Sequence, residues 1–133
     1  MNSEADIHSV LKQIETTFSA LDFDGWIACF HSPCTVILAD RIFSSASIAD
    51  TKAQFQPMFD GLRRKGFTRT QLDHCKIRML TGTTAIADTV WTRYRGEQIL
   101  EQLGATYLFL NLQGSWKVAT LTGYPAAASS LMA

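Results

Sequence analysis

Few side chains in this sequence are suited to chemistry, and Asp88 is the first of them. It falls in a run of period 2, where one register reads Ile86, Asp88, Val90, Thr92, Tyr94 and the other Ala87, Thr89, Trp91, Arg93, Arg95. The first register is the more apolar, which predicts Asp88 on the core side of a strand. Desolvation there would raise its pKa and suit it to act as a general base near neutral pH. The same acid also reads as structural, held by backbone donors or by Thr106.

The other candidates are weaker. Asp40 follows Leu38 on the same strand side and could reach a pocket mouth as a second acid, although a turn position before Arg41 accounts for it more simply. His74, set among Cys75, Lys76 and Arg78, is expected to face solvent or a partner. His31 and Cys34 are spaced like a metal pair, but no further His or Cys completes a tetrahedral set, and Pro33 between them favours a loop. Tyr94 and Tyr107 could supply hydroxyls. The sequence has no phosphate-cradling Gly-rich loop, dinucleotide fingerprint or nucleophile elbow, so any catalysis is expected to be cofactor-free acid and base work without a metal.

The elements that must position these groups follow from periodicity. Ile7, Val10, Leu11, Ile14, Phe18 and Leu21 form one helical stripe, and Asp22 can cap a shorter helix carrying Phe23, Trp26, Ile27 and Phe30. Cys34 to Ala39 reads as a buried strand, with a short strand at Arg41 to Ser44 after it. Ser47 caps a third helix striped by Ile48, Phe55, Met58, Phe59 and Leu62, and Pro57 predicts a kink in it or a boundary just before. Thr68 to Leu80 is a long strand with Asp73, Cys75, Ile77 and Met79 inward. Turns at Thr81 to Thr83 and Gln113 to Ser115 separate the later strands, and Arg95 to Gly104 reads as a looser connection. Helices followed by a run of antiparallel strands give an α+β fold.

A chain of 133 residues is expected to form one domain over 1–133, with 1–5 and 126–133 as frayed tails. Twelve basic and twelve acidic residues cancel, and Arg63, Arg64, Lys65 is the one dense basic run, so neither nucleic acid nor an anionic membrane is expected as a partner. The start of the chain lacks a secretory-type apolar run and nothing approaches membrane-spanning length, which predicts a cytoplasmic protein. Cys29, Cys34 and Cys75 are odd in number and irregularly spaced, and read as free thiols.

The helix pair ending in LDFDGWIACF, the strand CTVILAD, the third helix, then TTAIADTVWTRYRG and ATYLFLNLQGSWKVATLTGYP together resemble the nuclear-transport-factor-2-like superfamily, in its SnoaL-like branch. The resemblance covers nearly the whole chain. It implies a cystatin-like α+β cone, in which three helices close a strongly bent antiparallel sheet around an apolar pocket, and many members dimerise through the convex side of the sheet. It places the register of Asp88 inside the cone. The expected pocket is then Trp26, Phe30, Leu38, Asp40, Phe55, Phe59, Asp88, Val90, Tyr94 and Thr106.

The superfamily includes ketosteroid isomerases, polyketide cyclases, scytalone dehydratase, limonene-epoxide hydrolase and non-catalytic proteins, so fold alone selects no function. Aligned on the D-x-D-G turn, the isomerase's tyrosine acid falls on Ile14 and its aspartate base on Leu38, and its second oxyanion donor falls near Leu108. None of the three can transfer a proton. The hydrolase pattern of two aspartates bridged by an arginine is also absent, since Asp88 and Arg93 are five apart on a strand and point to opposite faces. The leading expectation is a homodimeric pocket protein binding a small apolar or amphipathic molecule. One alternative is a cofactor-free isomerase, cyclase or dehydratase with Asp88 as base and Tyr94 or Thr106 orienting it. A second is an interaction module using an exposed face with Trp91, Arg93 and Arg95.

Overall fold

In the computed structural model, which describes residues 3–132, two helices, a pair of strands, a third helix and four further strands follow one another, and the six strands form one curved sheet that does not close on itself. α1 (Glu4–Ser19) buries Ile7, Leu11, Ile14 and Phe18, as its stripe predicts, and begins in a capping box in which the Ser3 N–H donates to Asp6. α2 (Phe23–Ile27) is shorter than its apolar spacing implies. It stops because the chain enters β1 at Phe30, whose side chain is core but whose backbone is already extended. β1 (Phe30–Leu38) pairs with β2 (Arg41–Ser45), and α3 (Ile48–Arg64) starts on the Ser47 cap and runs through Pro57 without ending.

β3 (Arg69–Met79), β4 (Thr84–Arg95), β5 (Gln98–Leu112) and β6 (Ser115–Pro125) complete the sheet in the order β2-β1-β6-β5-β4-β3. The pairing is antiparallel except between β1 and β6, which are parallel because the strand after the helix pair returns to the far edge of the meander. The loose connection expected from Arg95 to Gly104 is a tight hairpin instead. Gly96 takes a left-handed φ of 58° at its turn, and β5 begins by Gln98. The β5–β6 hairpin turns on Gln113 and Gly114, with φ of 54° and 84° as its two-residue turn requires.

The helices cover the inner face of the sheet, where Phe18, Phe23, Trp26, Phe30, Phe55 and Phe59 interlock at centroid distances between 4.4 and 6.0 Å. After Pro125 the chain makes two 3-10 turns, Ala126–Ala128 and Ser130–Met132, that pack on β5 and on β3 and β4. Ala126 and Ser129 are buried in this segment, which the sequence reads as a loose end. No helix among the described residues is long and apolar enough to cross a membrane.

Candidate functional site

The register of β4 decides what faces the interior. Ala85 pairs with Phe109, Ala87 with Tyr107, Thr89 with Ala105, Trp91 with Leu103 and Arg93 with Glu101, and this is the set turned toward the helices. Ile86, Asp88, Val90, Thr92 and Tyr94 therefore face outward, opposite to the expectation from apolar content. On that outer face Thr106 Oγ1 donates to Asp88 Oδ1 at 2.7 Å, and Tyr124 donates its hydroxyl to Thr106 Oγ1 at 2.7 Å. Tyr124 reaches this point by lying across Gly104, where a Cβ would sit 2.1 Å from its ring. Asp88 thus lies on the outer face, hydrogen-bonded to Thr106, and is not among the described residues that line the interior cavity.

The interior holds a cavity of about 300 Å³ between α1, α2, α3 and the inner sheet face. That size is near the lower end for small-molecule sites. Its floor is buried and apolar, formed by Ile14, Trp26, Val36, Phe55 and Trp91, while the exposed Arg41, Gln54 and Pro57 mark its mouth. Of the expected lining residues, Trp26, Leu38 and Phe55 are there. Phe30 and Phe59 are core residues behind the wall, and Asp40 is an exposed turn residue. Asp88, Val90, Tyr94 and Thr106 are excluded by the register of their strands. Val90 and Tyr94 instead border a shallow polar depression on the outer face with Asp73, His74, Thr92, Gln102 and Met132.

Trp91 and Arg93, expected on an exposed sheet face with Arg95, lie inside. Trp91 is 4% exposed and its indole N–H donates to Thr89 Oγ1 at 2.7 Å. The Arg93 side chain is 14% exposed; its Nη1 pairs with Glu101 at 2.5 Å, its Nη2 meets the Met58 sulfur at 3.8 Å, and its guanidinium carbon lies 4.9 Å from the Phe18 centroid. The aliphatic stem can run along the inner wall while the guanidinium reaches the rim, which is why a strongly polar residue is tolerated in an inward register.

Tyr107 lines the cavity, and Tyr94 does not. Burial pushes the Tyr107 phenol well above its ordinary range, against smaller opposing influences from Arg93 and Trp91, so it is neutral at physiological pH. Among the described residues lining the cavity, the titratable groups are Arg41, Arg93 and Tyr107, and none is an Asp, Glu, His or Cys. Ile14 and Leu38, the positions aligned with the isomerase's acid and base, do border the cavity, but with hydrocarbon. Leu108 pairs with Ile86 and faces outward.

The remaining candidates are accounted for elsewhere. The Leu110 carbonyl lies 2.6 Å from His31 Nε2, and Cys34 is buried beside Thr51 at 3.8 Å, so the two do not form a metal pair. No cluster of three His, Cys, Asp or Glu that could hold a metal ion occurs among the described residues. His74 is exposed on β3.

The family described as NTF2-like protein (DUF6841) matches residues 3–126, nearly the whole described fold. The chain is an NTF2-like protein. Solved structures agree on the architecture. An NTF2-like protein of unknown function from Shewanella oneidensis MR-1 superposes with a TM-score of 0.76 at 16% identity, over 90% of this chain and 97% of that one. A protein of unknown function with a cystatin-like fold from Nostoc punctiforme PCC 73102 gives 0.75 at 14% identity, over 96% and 94%. An NTF2-like protein with a cystatin-like fold from Novosphingobium aromaticivorans gives 0.75 at 10% identity, over 97% and 85%. At such identities the likeness establishes the cystatin-like fold of this NTF2-like protein alone. No curated protein matches it in sequence.

Proposed function

We propose that this protein, read as a SnoaL-like member of the NTF2-like proteins, binds a small apolar or amphipathic organic molecule in the cone without transforming it. The observation that carries the reading is the composition of the cavity wall, an apolar floor joined to two arginines and a neutral phenol, with no carboxylate or imidazole among the described lining residues. Proton abstraction needs a base within hydrogen-bond reach of the substrate. The alternative with Asp88 as base has its carboxylate on the other side of the sheet, hydrogen-bonded to Thr106.

Trp26 and Trp91 both line the cavity, so a bound molecule changes their surroundings. Titrating 1-octanol while following tryptophan emission should give a saturable change. Leu103→Trp, which places a large ring at the lined wall, should abolish it while leaving the thermal midpoint high enough to show a folded protein. An emission change that grows linearly with octanol and never saturates would remove the binding reading.

The proposal includes a homodimer in the cytoplasm, paired through the outer face of the sheet. Ile86 and Leu108 are half-buried side chains on that face and pair across β4 and β5. Light scattering on Ile86→Arg should report a smaller species than the wild type.

A further inference from the structure

Among the described residues that line the cavity, the charged ones, Arg41 and Arg93, are both basic, although the chain as a whole is balanced at 12 basic and 12 acidic residues. Arg41 stands at the mouth with its guanidinium 5.5 Å from the Phe43 ring, and Arg93 reaches the rim from the inner face of β4. Glu101, which holds one edge of Arg93, is 43% exposed and outside the cavity lining. The other terminal nitrogen of Arg93 meets a thioether, a weak acceptor for a group that carries five N–H donors in a planar fork.

A cation entering here would meet Arg41 as well as Arg93, whose charge Glu101 offsets in part at 2.5 Å. A neutral apolar molecule would cover the Arg93 edge and leave Nη2 with sulfur as its acceptor. A carboxylate matches the fork, neutralises the local excess, and lets the attached hydrocarbon run between Trp26, Phe55, Leu103 and Leu121. The volume of about 300 Å³ corresponds to roughly ten water-sized groups, at about 30 Å³ each. A short fatty acid or arylalkanoate is of that size.

We propose that the cavity selects a small amphipathic monocarboxylate, with its head group on the Nη2 edge of Arg93, where it replaces the weak Met58 acceptor, under the field of Arg41 and with its apolar tail on the cavity floor. This rests on the reading of the cone as a binding site and adds the charge and size of what it binds.

The test pairs octanoate with 1-octanol, which share a tail and differ in the head group, using tryptophan emission and calorimetry on the full chain at fixed salt. Octanoate should bind about tenfold more tightly than octanol. Arg93→Gln should weaken octanoate by about tenfold and change octanol by less than about twofold, while Arg93→Lys should recover part of the loss. Equal affinities for the two probes in the wild type would overturn the anionic head group and leave the pocket reading standing, even if Arg93→Gln fails to fold. An equal loss of both probes in a folded Arg93→Gln would also overturn it, by showing that Arg93 acts through packing on Phe18 and Met58. Binding of neither probe to the wild type would overturn both readings.

Discussion

The Trp91 indole N–H donates to Thr89 Oγ1 at 2.7 Å, and that hydroxyl donates in turn to the Ala105 carbonyl at 2.6 Å. Both residues lie on the inner face of β4 and are essentially closed to solvent. The relay lets a large indole be buried with its one polar atom satisfied, which a buried N–H requires. Thr89→Val keeps the shape and removes the acceptor. The expected cost is about 1 to 3 kcal/mol, read as a lower urea midpoint with unchanged slope. A midpoint equal to that of the wild type would mean that the indole finds another partner.

The same relay explains what the sequence concealed. Counting apolar residues in the two registers of β4 favours Ile86, Asp88, Val90, Thr92 and Tyr94 for the interior, because it treats the convex face as wet. In the folded chain Val90 and Thr92 are each 1% exposed on that outer face, with the last 3-10 turn packed on β3 and β4. The inner register of β4 is poor in large apolar residues because Ala85 and Ala87 sit there, fully buried, with Ala105 of β5 opposite Thr89. Both faces of the strand are thus covered, and period 2 alone does not tell them apart. Helix stripes were legible because each helix buries one face only, so Ile7, Leu11, Ile14 and Phe18 announce themselves. The hairpin at Gly96 was hidden by Glu97, Gln98, Glu101 and Gln102, polar residues on an exposed end of the sheet.

Asp88 provides a direct check on that register. Because its carboxylate bonds Thr106 on the outer face, Asp88→Asn should leave probe affinity in the cavity unchanged and lower stability by less than about 1 kcal/mol. Thr106→Val removes the donor to Asp88 and the acceptor for Tyr124 together, so its loss should be larger, on the order of 1 to 2 kcal/mol. A change in octanoate or octanol affinity in Asp88→Asn would contradict the outward placement.

The turn between the first two helices depends on a side chain and a missing one. Asp22 Oδ1 accepts from the Gly25 N–H at 3.0 Å as the cap of α2, and a Cβ on residue 25 would lie 2.3 Å from Asp22 Oδ2. Asp22→Ala should therefore cost about 1 kcal/mol by loss of the cap. Gly25→Ala should cost at least as much, although alanine is the better helix former, because the added methyl displaces the capping carboxylate. In the double variant the two losses should not add, since the methyl then has no carboxylate to displace. Thermal midpoints of the three variants decide it, and full additivity would show that the clash lies elsewhere, as with the Thr17 methyl at 3.0 Å.

Alkaline pH should loosen the fold through its buried thiols and phenol. Burial pushes the Cys29 thiol up to about 11 from a reference of 9.0, with Lys117 acting weakly the other way, and Cys34 and Tyr107 shift in the same direction for the same leading reason. A thiol whose pKa is raised by folding favours the folded state while both states keep the proton. Once the unfolded chain ionises near 9 and the folded one does not, each further pH unit costs at most about 1.4 kcal/mol per such thiol, until the folded thiol titrates near 11. Urea midpoints should accordingly be flat from about pH 7 to about pH 8.5 and fall steeply by about pH 10. Cys29→Ala removes one contributor, so its curve should start lower from the lost packing and then fall less steeply. Parallel curves for the two proteins would mean that Cys29 ionises as readily in the folded state as in the unfolded one, and would place the alkaline weakness on Tyr107 and Cys34.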